Sequence, residues 1–186
     1  MLKFQQGDKF AFEELLDKYQ KPVINFIYRM IQNKDEADDL AQDVFIRVYN
    51  SAKTYRPTAK FSTWIYTIAR NICLNELRKK ERRNISLDQG IPTQEGELKR
   101  EIASPEGSSP YEDASKHELQ ELVKEAIESL PVNQRMAVVL RRYQLLSYEE
   151  IAKTMDCSVS AVKSLLNRAK ESLKEKLKSY VLKDEN

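Results

Sequence analysis

Residues 148–169, "YEEIAKTMDCSVSAVKSLLNRA", constrain the chain most, because two short amphipathic runs are separated only by Asp156, Cys157 and Ser158. A connection that short forces the runs to cross closely. Ile151 and Met155 share one side of the first run, and Ala152 is small where a second helix must approach. Val159, Val162, Leu166 and Ala169 share one side of the second. This is the packing pattern of a helix-turn-helix, whose second helix is presented to a DNA major groove. With Val162 at the centre of the buried side, Ser160, Lys163, Ser164, Asn167 and Arg168 fall on the outer half of the wheel. Lysine and arginine neutralise phosphates or donate to guanine, asparagine pairs with adenine, and serine hydroxyls serve backbone or base. Taken alone, the stretch also fits a long surface helix with i, i+4 charge pairs, or one strand of a coiled coil.

With 186 residues and 41% hydrophobic content, the chain can bury one substantial core or two modest ones. Charged residues reach 32% while glycine occurs four times, so propensity favours an all-α fold. Cys73 and Cys157 stand alone, without a second cysteine or histidine at zinc-site spacing, and are expected as reduced thiols. No apolar run reaches the roughly 20 residues of a membrane span, and the N-terminus lacks a secretory signal pattern. The expected location is the cytoplasm, with no membrane insertion.

Helical periodicity breaks over residues 84–113, which hold three of the six prolines and three of the four glycines. The chain therefore reads as two small helical domains, 1–83 and 114–186, joined by a flexible linker too poor in apolar residues to offset its ordering entropy. Charge follows the same division. Residues 1–83 carry 16 basic and 11 acidic side chains, the linker 2 and 7, and residues 114–186 carry 13 and 11. Two basic units flanking an acidic tether fit an anionic partner touched at both ends.

Within the first unit, helices are predicted over about 8–19, 21–32, 35–50 and from near Lys60. Pro22 suits an early helical position, and Asn33 marks a break. Ala37, Leu40, Ala41, Val44 and Val48 form the core face of the third helix, whose early acidic residues complement its dipole. In the fourth, Phe61, Trp64, Ile65, Ile68 and Ile72 are predicted core, with Thr63, Tyr66, Thr67 and Arg70 on the opposite face and a basic end at Arg78, Lys79, Lys80, Arg82 and Arg83. After the linker, helices are predicted over about 114–129, 131–143, 147–155 and 158–179, with Ser147 and Glu150 spaced as a capping box.

The segments "DEADDLAQDVFIRVY" (35–49), "FSTWIYTIARNICLNELRKKER" (61–82) and "SYEEIAKTMDCSVSAVKSLLNRAKESLK" (147–174) stand in an order that resembles the extracytoplasmic-function (ECF) branch of the sigma-70 family. These are bacterial initiation factors that direct RNA polymerase to promoters, and the likeness covers nearly the whole chain. The resemblance implies that 1–83 is a region 2-like domain and 114–186 a region 4-like helix-turn-helix domain. It implies that the 35–49 segment docks on the polymerase clamp through Asp39, Gln42, Asp43, Ile46 and Arg47. It further implies that Tyr55, Lys60, Phe61, Thr63, Tyr66, Arg70, Asn71 and Asn75 open and hold the downstream promoter element. Melting requires a pocket for an unstacked base and cations for the exposed strand. The five outer residues of the helix-turn-helix would read the upstream element as duplex. Leu165 departs from the family, many of whose members carry arginine there.

The expected partners are thus core RNA polymerase, promoter DNA and an anti-sigma factor, with no cofactor, metal or small-molecule substrate. Extended, the 30-residue linker reaches ~100 Å, or about 30 base pairs, so both domains could engage one promoter. Its acidity suits the RNA exit path toward which this segment threads in the family. The contrasting reading is a two-domain helix-turn-helix regulator binding an operator as a dimer, which would need a ligand- or phosphate-accepting N-terminal half. A nuclease has little support. His117 is the sole histidine, and Asp35, Asp38 and Asp39 lack convincing metal-site partners.

Overall fold

The computed structural model describes residues 1–87 and 110–181, with side chains over 1–85 and 118–178. Every regular element in these residues is helical: α1 (Leu2–Gln5), α2 (Phe10–Ile31), α3 (Lys34–Asn50), α4 (Phe61–Leu87), α5 (Pro110–Glu128), α6 (Val132–Arg142), α7 (Tyr148–Met155) and α8 (Val159–Val181). A single 3-10 turn, Ala52–Thr54, follows α3. Helix α4 runs four residues past Arg83 and α5 begins at Pro110, so the ends of the 84–113 segment are helical; its centre, like the side chain of His117, lies outside the described residues.

The two helices expected on either side of residue 20 form one helix, α2, which passes through Pro22. Proline removes one intrahelical hydrogen bond and costs ~3 kcal/mol in a helix interior. Burial of Val23, Phe26, Ile27, Met30 and Ile31 along the same helix offsets it, since each such side chain contributes ~1.5–3 kcal/mol. The break at Asn33 is real. Gln32 turns into the left-handed region at φ 64°, and the Asn33 side chain caps α3 by accepting the Glu36 N–H at 3.0 Å.

Helices α2, α3 and α4 pack on one another as the first unit, and α5 to α8 as the second. The predicted core of α3 is buried except for half-exposed Leu40, with Phe45 added. In α4, Ile65 and Ile72 are fully inside, whereas Phe61, Trp64 and Ile68 are half-buried. The face opposite departs from expectation: Thr63 and Tyr66 are buried as well. The reason is tertiary. Helix α4 packs against α2 and α3 on one side and α7 on the other, so the apolar core continues from the first unit into the second.

Candidate nucleic-acid interface

The turn of the helix-turn-helix is built by local hydrogen bonding. Ser147 and Glu150 form the predicted capping box: the Ser147 hydroxyl accepts the Glu150 N–H at 3.2 Å, and the Glu150 carboxylate accepts the Ser147 N–H at 2.8 Å. Asp156 ends α7 in the left-handed region at φ 53°, a conformation that Asp tolerates better than most non-glycine residues. Ser158 then caps α8, its hydroxyl accepting the Ala161 N–H at 3.1 Å. Ile151, Ala152, Met155, Val162 and Ala169 are buried, and Val159 and Leu166 pack against them.

Ser160, Lys163, Ser164, Asn167 and Arg168 are all exposed along α8. The structure therefore brings all five upstream candidates onto one solvent face. Leu165 is half-buried and packs against the core, at the edge of that face.

The downstream candidates divide into three groups, with Lys60 apart from them. Tyr55 and Phe61 belong to an aromatic cluster with Tyr19 and Trp64: Tyr55 and Trp64 lie 4.7 Å apart, Tyr19 and Phe61 5.0 Å, and Phe61 and Trp64 5.7 Å between ring centroids. Sequence periodicity assigns Trp64 to the core and leaves Tyr19 aside, because a cluster closed by a loop has no helical spacing. Thr63 and Tyr66 are buried, and the Tyr66 hydroxyl hydrogen-bonds the side-chain oxygen of Gln144 in the second unit. Burial pushes the Tyr66 phenol well above its ordinary pKa, so it remains a neutral donor. Arg70, Asn71 and Asn75 follow along α4; Arg70 donates to Asn71 at 3.1 Å, while its buried Nε has no partner. Lys60 is exposed and pairs with Glu150 at 2.9 Å.

On α3, Asp39, Gln42, Asp43, Ile46 and Arg47 are exposed, with Ile46 56% accessible. They form a ridge between two clefts. Gln42 and Ile46 border an apolar groove of about 770 Å³ between α2 and α3, floored by Phe12, Leu16, Ile24 and Phe45. Asp43 and Arg47 border a polar cleft of about 330 Å³ shared with Asn75, Arg78, Lys79 and Arg82 of α4. Sequence periodicity does not single out the groove; its signal is the second apolar stripe on α2. In the polar cleft, Glu76 accepts from Lys79 at 3.0 Å and Arg83 at 2.7 Å, and the Lys79 hydrogen bond chiefly holds its carboxyl below the ordinary range.

Among the described residues, no group of three or more His, Cys, Asp or Glu side chains is placed to hold a metal, and no helix is long and apolar enough to cross a membrane.

Comparison with known proteins follows the same division. Residues 15–83 match the family described as Sigma-70 region 2, and residues 120–173 match Sigma-70, region 4. The RNA polymerase sigma-H factor of Pseudomonas aeruginosa is 35% identical over 174 residues, which cover 93% of this chain and 89% of that protein. The ECF RNA polymerase sigma-E factor of Escherichia coli (strain K12) is 36% identical over 181 residues, covering 95% and 92%. The solved structure of the sigma factor RpoE from Bartonella quintana, in complex with the anti-sigma factor NepR, superposes with a TM-score of 0.70 at 25% identity, covering 90% of this chain and 97% of that one.

Proposed function

Since this chain belongs to the sigma-70 family, in its ECF branch, and is a non-enzymatic initiation factor for RNA polymerase, we propose that its two helical units divide promoter recognition between them. The observation that carries the reading is the shared solvent face of Ser160, Lys163, Ser164, Asn167 and Arg168 on a helix whose inner side is fully packed. That face reads upstream duplex: Lys163 and Arg168 engage phosphate or guanine, and Asn167 and the serines supply the remaining hydrogen bonds. The 1–83 unit binds core polymerase and opens the downstream element. The α3 ridge meets the polymerase clamp through Asp39, Gln42, Asp43, Ile46 and Arg47. An unstacked base has aromatic faces available at Tyr55 and Phe61, while Lys60, Arg70, Asn71 and Asn75 supply cations and amides for the strand, with Thr63 and Tyr66 between them.

Synthesis of RNA remains the work of the polymerase. The factor acts in the cytoplasm, where polymerase and promoter meet, and an anti-sigma factor restrains it, as NepR accompanies the Bartonella relative. The linker lets the 1–83 and 114–186 units reach two promoter elements at once.

The experiment is to mix purified chain, core polymerase and a promoter library, then map transcript starts. Starts that cluster behind a common pair of upstream and downstream elements support the reading. Starts indistinguishable from those of core enzyme alone overturn it.

A further inference from the structure

The basic end of α4 is not uniform. Lys79 and Arg83 both pair with Glu76, and Lys80 pairs with Glu36 of α3. Arg78 and Arg82, one helical turn apart, form no ion pair among the described residues, and neither does Arg47 of α3. All three arginines are exposed, and all three line the polar cleft of about 330 Å³ between α3 and α4. An anion held there gains from three guanidiniums at once.

Two carboxylates also border the cleft. Glu76 is buried and its charge is met by Lys79 and Arg83, while Asp43 is exposed. With Lys79 included, four cations face two carboxylates, an excess of two positive charges. That excess matches a ligand carrying two or more negative charges, and guanidinium forks bond phosphate oxygens in pairs. Ile72 and Leu40 add an apolar part to the lining, and Asn75 an amide. A cavity of this size stands at the small end of ligand sites, which begin at roughly 300 Å³. We propose that this cleft is an effector site for a small diphosphate-bearing ligand, held by Arg47, Arg78 and Arg82, with inorganic pyrophosphate and nucleoside diphosphates as the two sources of that chemistry. Asp43 and Arg47 belong to the α3 ridge as well, so ligand and polymerase contend for them, a consequence that rests on the assignment of the ridge to polymerase docking.

Isothermal titration calorimetry of the full chain in magnesium-free buffer reads binding of inorganic pyrophosphate, adenosine diphosphate and adenosine. Both phosphate ligands should bind at one site, and adenosine should not. Tighter binding of adenosine diphosphate identifies a nucleotide site and equal affinities a site for diphosphate alone; either supports the proposal. Arg78→Ala with Arg82→Ala should weaken binding at least about tenfold. Arg78→Lys with Arg82→Lys, which keeps the charge without the fork, should retain only part of it, and Lys174→Ala on α8 should change nothing. Thermal melts check that each variant is folded. Saturating adenosine diphosphate should also weaken association of the wild type with core polymerase, and not that of the chain with both alanine substitutions. An absence of saturable binding, or binding indifferent to Arg78 and Arg82, overturns the site. If the small anions fail to bind while a labelled duplex binds through these arginines, they are contacts to the DNA backbone and the site is equally overturned. If the ligand binds but polymerase association does not respond, the site stands and the contention falls. If Asp39→Ala with Gln42→Ala also leaves polymerase association unchanged, the ridge assignment falls with it.

Discussion

The Glu150 carboxylate is shared between two structural tasks, accepting the Ser147 backbone N–H at 2.8 Å to start α7 and pairing with Lys60 at 2.9 Å across the seam between the two units. The Lys60 pairing requires the ionised form, and ionisation strengthens the Ser147 hydrogen bond. The Ser147 N–H chiefly, and Lys60 next, hold the carboxyl below its ordinary value of 4.5, despite partial burial that opposes them.

Acid should therefore release the Lys60 pairing across the seam and fray the start of α7 together. A carboxylate with a depressed folded pKa contributes stability above its unfolded value of 4.5, and that contribution is lost as pH falls through the lower folded value. Glu149 is the neighbouring carboxylate, and its own pKa is also depressed, first by backbone hydrogen bonding, so it titrates in the same direction. Far-ultraviolet dichroism should move as pH falls below 4.5. Glu150→Gln, which keeps an acceptor but no charge, should flatten its part of that dependence.

Leu145 should be replaceable with profit. It sits in the left-handed region at φ 56° and is 79% exposed, so a bulky side chain meets backbone strain without packing to offset it. Leu145→Gly should raise stability by roughly 1 kcal/mol, the steric cost of that conformation for a side chain, less the extra chain entropy of glycine. Urea denaturation checks it; a midpoint that falls would mean that Leu145 contributes packing that its exposure conceals.

The contrast between Leu145 and Ser147 shows what is legible in the sequence. Ser147 and Glu150 are three residues apart and act through their own backbone, so spacing identifies the capping box that the structure contains. The same holds for the inward residues of α7 and α8, which follow helical period. Leu145 bears no local mark of its backbone angle. Likewise, the wheel places Thr63 and Tyr66 outside because it represents one helix against one core. Tyr66 is enclosed by Phe26 of its own unit and by Gln144 of the second, 78 residues away in the chain. Pro22 misleads for a related reason: a local rule breaks the helix there, while burial of the residues beyond it carries α2 through.

The two thiols should react at very different rates. Cys73 is fully buried within α4, and burial pushes its pKa to about 12, leaving almost no thiolate near neutrality. Cys157, in the turn before α8, is half-exposed. Titration of the native chain with a disulfide reagent should modify Cys157 promptly and Cys73 only on unfolding. Prompt reaction at both would show that the first unit opens far more readily than its core allows.

Substitutions on α8 and α3 should separate the two recognition events, because Lys163 and Arg168 lie in one unit and Asp39 and Gln42 in the other, with no shared partner. Lys163→Ala with Arg168→Ala should weaken duplex binding and reduce its salt dependence by about one counterion for each phosphate no longer neutralised, with association to core polymerase unchanged. Asp39→Ala with Gln42→Ala should do the reverse, since both are exposed on α3, in the unit that does not hold α8. The salt slope distinguishes the roles of the two cations. A loss of affinity with an unchanged slope assigns Lys163 and Arg168 to base edges, and a fall in both assigns them to phosphate. No change in either removes α8 from the interface.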